Sequence, residues 1–296
     1  MQPGSVFRTV RIRRGGLGIA LTYAVLTAWL GFVLFPLYWL VTMSLKPEIE
    51  IFARPPKLIG FQPTLDNYTA VLNLAPIVDT LAVKSDFPAY FRNSIVIIGG
   101  AIILTIVFGT FAAYGLARYQ FRGRELFAGL VLSTRIIPVL TILTPLYIIF
   151  RNLGLYNTYQ GLILVYLFVG LPFYILLVRG HVAAVPREVE EAAIVDGCSV
   201  LMTLRYIVVP LMSPGIASSA LLVLIYMWNN FLFALILGGR DVQPVTAGIM
   251  NYLGLSQISY ANLSAAAVIC MTPVILGGMF IQRYIVSGLS SGSIKG

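Results

Sequence analysis

Six stretches of this sequence, 17–43, 91–116, 126–150, 158–178, 214–237 and 261–285, are long, apolar and almost free of charge. Each reaches the roughly 20 residues that a helix needs to cross the hydrocarbon of a bilayer, and a helix satisfies its backbone donors and acceptors internally. The chain of 296 residues is 58% hydrophobic and 10% charged, with a mean hydropathy of +0.89. No soluble domain of this size is expected to be so apolar. The pattern predicts an all-α polytopic membrane protein with six transmembrane helices. Residues 1–16 form a polar tail, 17–43 the first span, 44–89 an extramembrane loop, 90–286 a membrane core and 287–296 a second tail. A secretory signal has a similar basic start, but the run 17–43 is too long and lacks a small-x-small cleavage site, so it is expected to be retained.

The formal charge of +9 would suit nucleic acid in a soluble protein, but no basic stripe interleaved with aromatics is present. The cations instead sort by loop. One set of short segments carries Arg8, Arg11, Arg13 and Arg14, then Arg118, Arg122 and Arg124, then Arg179, Arg187 and Arg205, and finally Arg283 and Lys295. The opposite short loops carry Arg151 and Arg240. The positive-inside rule therefore places both termini and the loop 181–212 in the cytoplasm, with 44–89 on the outer face.

Chemistry is constrained by what the sequence lacks. There is no Gly-x-x-x-x-Gly-Lys-Ser/Thr phosphate loop, no His-Glu-x-x-His and no Gly-x-Ser-x-Gly. His181 stands alone, and Cys198 and Cys270 form no Cys-x-x-Cys, so neither a metal set nor a disulfide is expected. Carboxylates fall almost wholly outside the spans, which argues against proton or sodium coupling. A non-catalytic membrane subunit driven from outside itself is the expectation; a self-sufficient secondary transporter or channel is the alternative.

Between two apolar spans lies a polar stretch beginning Pro186-Arg187-Glu188-Val189-Glu190-Glu191-Ala192-Ala193-Ile194-Val195-Asp196-Gly197. Pro186 suits a first helical position, and Glu188, Glu190 and Glu191 favour the positive end of a helix. Gly197 offers a stop and Ser199 a cap for a second short helix, in which Leu201, Leu204, Val208 and Leu211 recur at helical spacing. The spacing alone fits a solvated, well-capped loop equally well. A small apolar face beside an acidic edge also suits a helix that enters a partner's groove.

Glu191-Ala192-Ala193, three residues, Gly197, nine residues, Ile207, one residue, then Val209-Pro210 resembles the EAA signature of ABC importer permeases. Val209 stands where leucine is usual. Ala117-Arg118-Tyr119-Gln120-Phe121-Arg122-Gly123 is similar to a cytoplasmic turn of the carbohydrate permeases, as are 154–162, 228–234 and the tail from Gln282. The resemblance implies the type I importer fold in a bacterial inner membrane. It implies a second, larger permease subunit, two ATPase subunits that bind ATP and Mg, and an extracytoplasmic solute-binding protein. It makes the loop a coupling helix docking into the ATPase, through Glu190, Glu191, Ala192, Ala193, Asp196, Gly197, Ile207 and Pro210. Ser293 and Lys295 in the tail would lie along the ATPase dimer interface.

Arg135 is the one charged residue well inside a predicted span. It is expected either to snorkel or pair with carbonyls beside a helix broken at Ile136-Ile137-Pro138, or to meet an acidic or richly hydroxylated solute. Against the resembled family it replaces an uncharged residue, which favours an acidic oligosaccharide such as a uronate over a neutral sugar or polyol. Tyr226, Trp228, Asn229 and Asn230 fit sugar contact and interhelical bonding equally. Tyr252 and Tyr260, in an outer loop 238–262, are candidates for touching a binding protein or its ligand.

Overall fold

The structure, a computed structural model, describes residues 16–74, 85–239, 241–250 and 259–292. Tyr252, Ser293, Lys295, Arg240 and the N-terminal arginines lie outside the described residues. Helices α1 (Gly16–Ser44), α2 (Glu48–Ile51), α3 (Asp66–Val71), α4 (Phe87–Arg118), α5 (Arg124–Ser133), α6 (Val139–Asn152) and α7 (Tyr159–Ala184) form the first part of the fold. They are followed by α8 (Arg187–Val195), α9 (Val200–Thr203), a π-helical turn over Leu204–Val208, α10 (Val209–Leu211), α11 (Ser213–Asn229), α12 (Leu232–Leu237), α13 (Val245–Gly248) and α14 (Tyr260–Gly292).

Among the described residues, four segments are long and apolar enough to cross a membrane: Gly18–Ser44, Phe87–Arg118, Tyr159–Ala184 and Tyr260–Phe280. A fifth exists only as a bent pair, Val200–Leu211 with Ser213–Asn229, at 79° to each other. Met212 leaves helical geometry there (φ −97°, ψ 9°), and Pro214 occupies the first turn of α11, where a missing N–H costs nothing. The predicted span 126–150 is divided. Pro138 (φ −60°, ψ 130°) starts α6 afresh, and a residue before proline is biased away from helix. The sixth crossing thus depends on α5 and α6, of 10 and 14 residues, acting as one.

The core is the pairing of α4 with α7, closed on one side by α11. Small residues set the approach. A side chain at Gly109 would collide with the Tyr174 ring, and one at Gly170 with Met227 and Val223 of α11. The Thr110 and Tyr174 hydroxyls lie 3.0 Å apart in this seam. Helix α1 is apolar on every face and exposes Leu21, Trp29 and Phe32; it packs along α14. An element apolar all round belongs in lipid or against another chain.

The loops expected on the outer face are folded where the structure describes them. Asn67 donates to the Ser44 and Lys46 carbonyls, both at 2.9 Å, and Thr64 N–H donates to Leu45 (2.8 Å). Lys46 is buried between the Trp39 and Phe61 rings, its ammonium donating to the Lys57 carbonyl at 2.5 Å; burial lowers its pKa from the ordinary lysine value. Glu48 accepts from Ser259 Oγ (3.1 Å) and the Tyr260 and Ala261 amides (2.9 and 3.0 Å), so a carboxylate from α2 caps α14. Across the same end, Asn93 donates to the Asp241 and Gln243 carbonyls and accepts from the Tyr159 hydroxyl. Part of the predicted outer loop is therefore core: Val245 and Ala247 of α13 are buried against α4.

Candidate coupling surface and solute path

The polar stretch folds as two capped helices. Pro186 (φ −60°, ψ 134°) sits one residue before α8, and Glu188 and Glu190 fall in its first turn. At the other end the Cys198 amide donates to the Ala193 carbonyl (2.9 Å) and the Gly197 amide to Ile194 (3.0 Å), a Schellman closure. That closure needs a left-handed residue, and Gly197 has φ +89°. Ser199 Oγ then accepts from the Met202 amide at 3.3 Å, starting α9.

The faces of α8 divide the expected residues. Glu191, Ala192, Asp196 and Gly197 are exposed, with Ile194 and Val195 beside them at 53% and 86% exposure. Leu201, Met202 and Tyr206 extend the apolar surface beyond the turn, where Pro210 is exposed and Ile207 half-buried. Ala193 and Glu190 point inward. Glu190 is 7% exposed, which corrects the expectation that it shares the acidic outer edge with Glu191.

Its carboxylate enters a buried network. Arg118, at the last position of α4, donates from Nε to Glu190 Oε1 at 2.7 Å and pairs with it through Nη2 at 2.6 Å. The same Nη2 donates to the Val182 and Val185 carbonyls at the end of α7 (2.8 and 2.7 Å). Tyr114 donates its hydroxyl to the other oxygen, Oε2, at 2.9 Å. Sequence reasoning placed Arg118 in a loop-charge tally and a family-like turn. Only its position one helical turn beyond Tyr114 hinted that both face one side.

Arg135 lies in the gap between α5 and α6. Its guanidinium stacks 4.8 Å from the Phe173 ring centre of α7 and 4.5 Å from that of Tyr226 in α11. The two rings meet edge-on at 5.8 Å. Thr134, Arg135, Pro172, Tyr226 and Phe233 line a cavity of about 60 Å³ at this place. Cation–π stacking explains how a charge is tolerated in an apolar setting, and it leaves the guanidinium edge free to donate. The helix break was expected; the aromatic partners were not.

The other path candidates separate. Trp228 is 4% exposed and packs edge-on against Phe91, so it belongs to the core. Asn229 donates to the Ile225 carbonyl of its own helix (2.8 Å), and the Asn230 carbonyl accepts from Tyr166 (2.6 Å) where α11 breaks. Tyr260 is the first residue of α14 rather than a loop residue, with its ring edge-on to Phe52 at 5.4 Å. Among the described residues no group of His, Cys, Asp and Glu is placed to hold a metal ion.

The family model for the "binding-protein-dependent transport system inner membrane component" matches residues 87–291. The chain is 33% identical over 265 residues to the trehalose/maltose transport system permease protein MalG of Thermococcus litoralis, covering 89% of this chain and 92% of that one. It is 35% identical over 275 residues to the trehalose transport system permease protein SugB of Mycobacterium tuberculosis, covering 91% and 95%. Its fold matches a chain of a bacterial ABC transporter involved in the import of the acidic polysaccharide alginate, with TM-score 0.72, 22% identity, and 96% and 99% of the two chains covered. The capped helix pair at one end of an α4–α7 core, and the match spanning that core from α4 into α14, place this chain in the family of inner membrane components of binding-protein-dependent transport systems.

Proposed function

We propose that this chain is one membrane subunit of an ATP-driven importer of carbohydrate, paired with a second, larger permease and powered by two ATPase subunits that hold ATP and Mg. An extracytoplasmic binding protein delivers the solute. The observation that carries this reading is the outward face of α8: Glu191, Ala192 and Asp196 exposed beside Ile194 and Val195, at the end of the molecule where α4 and α7 finish. An exposed apolar patch with an acidic rim fits a cleft on a partner. The relatives named for trehalose and maltose support carbohydrate as the cargo.

In the reconstituted transporter, Glu191→Lys is expected to uncouple the machine: ATP hydrolysis continues while uptake falls by at least about tenfold, the scale of one lost charged contact. Unchanged uptake would remove the coupling role. Flux through this chain alone, driven by an ion gradient, would favour a self-sufficient carrier instead.

An acidic sugar as the solute is the reading that Arg135 supports. A guanidinium lying against two rings, with an unused donor edge, suits a carboxylate on a sugar. Arg135→Met is expected to reduce stimulation of ATP hydrolysis by uronate oligosaccharides more than by neutral sugars. Equal effects on both would remove the acidic-solute reading and leave Arg135 as packing.

A further inference from the structure

Arg118 ties together the ends of three elements through one side chain. Its stem leaves the last residue of α4, its Nη2 holds two carbonyls at the end of α7, and Nε and Nη2 hold the carboxylate of Glu190 on α8. Among the described hydrogen bonds and ion pairs, those that join α8 to α4 all pass through Glu190. The side chains of Arg118 and Glu190 are 10% and 9% exposed, so neither charge can be satisfied by water while the joint is closed.

We propose that Arg118 is the positioning residue that makes α8 and the inner ends of α4 and α7 move as one body, so that a push on α8 reaches the two central membrane helices together. This rests on reading α8 as the element that docks on the ATPase. The physical reason is asymmetry. An arginine fork can serve three acceptors at once, whereas a slide of α8 past α4 would strand a buried carboxylate and a buried guanidinium, each at high cost. The outer face of α8 is left open to a partner: Glu191, Ala192, Ile194, Val195 and Asp196 are exposed, while Glu190 and Ala193 are buried. Tyr114 makes the joint directional by fixing Oε2, which leaves Oε1 to the arginine. The carboxylate cannot rotate away without losing a partner.

The test uses the complete transporter with its ATPase and binding protein in proteoliposomes, reading solute imported per ATP hydrolysed. Arg118→Lys keeps the charge but reaches fewer acceptors, and Glu190→Gln keeps the shape but loses the ion pair. Both are expected to lower import per ATP on the order of tenfold, the scale of a lost charge-assisted hydrogen bond, while hydrolysis persists. Import and hydrolysis falling in equal proportion would mark a merely structural bond and overturn the proposal, as would an unchanged ratio. Tyr114→Phe removes a single hydroxyl and keeps the question open should the charge variants fail to assemble. A fall in its ratio supports the joint, and an unaltered ratio overturns it. Glu191→Lys runs in parallel: if it leaves uptake intact, the docking reading of α8 fails, whereas if it uncouples and the Arg118 and Tyr114 variants do not, only the joint fails.

Discussion

Glycines that look alike in the sequence do different work. Gly99 and Gly109 both lie in α4. The structure separates them: a side chain at Gly109 would fall 2.4 Å from the Tyr174 ring, while at Gly99 nothing lies within 4 Å. Gly109→Ala is therefore expected to lower stability by roughly 1–3 kcal/mol through overpacking, and Gly99→Ala to be neutral or slightly stabilising. Thermal unfolding of the two purified variants in one detergent would check this; equal midpoints would mean that the α4–α7 seam yields more readily than its geometry implies. Residue-scale meaning was legible where it is local, as with Gly197, whose left-handed φ follows from its place after a short capped helix. It was not legible where partners are distant. Glu48 caps α14 across more than 200 residues, and Glu190 finds Arg118 72 residues away. Nothing in the spacing of the acidic run distinguishes inward Glu190 from outward Glu191, since the answer depends on where α4 ends.

At the scale of elements, hydropathy finds apolar stretches but not their continuity. The stretch 126–150 is apolar apart from a short polar interruption at Ser133-Thr134-Arg135, yet it forms α5 and α6 with a gap between them, and 214–237 breaks again at Asn230. Pro138 announces the first break, because proline removes a donor and restrains its predecessor. No such residue announces the second, where the Asn230 carbonyl is taken by the Tyr166 hydroxyl instead of a helical partner. The α5–α6 gap is bridged by Arg135, whose guanidinium meets Phe173 on α7 and Tyr226 on α11. If that stack holds the broken element in place, a double-mutant cycle between Arg135→Met and Phe173→Leu should give a coupling of about 0.5–2 kcal/mol. Additive losses in unfolding free energy would show that the gap is held by other contacts, and that Arg135 is present for its charge alone.

For the molecule as a whole, packing defines two ends and charge distribution predicts which of them faces the cytoplasm. The positive-inside rule predicts a cytoplasmic position for Arg118, Arg179, Arg187 and Arg205. The structure joins the first three of these elements at one end, where α4 finishes, α7 finishes and α8 begins. At the other end Ser94 near the start of α4 accepts from the Val245 amide, and α2 and α3 pack on α14. The long apolar helices α4 and α7 connect the two ends, so one labelled site at each fixes the orientation. In a Cys198→Ser, Cys270→Ala background, a cysteine replacing Asp196 is expected to react with a membrane-impermeant maleimide only after cells are opened. A cysteine replacing Ile59, which is 85% exposed in the outer module, is expected to react in intact cells. The reverse pattern would turn α8 to the outside, away from any nucleotide-binding partner, and the coupling function would fall with it. Labelling of both sites in intact cells would contradict the placement of these two ends on opposite sides of a bilayer, which α4 and α7 are each long and apolar enough to span.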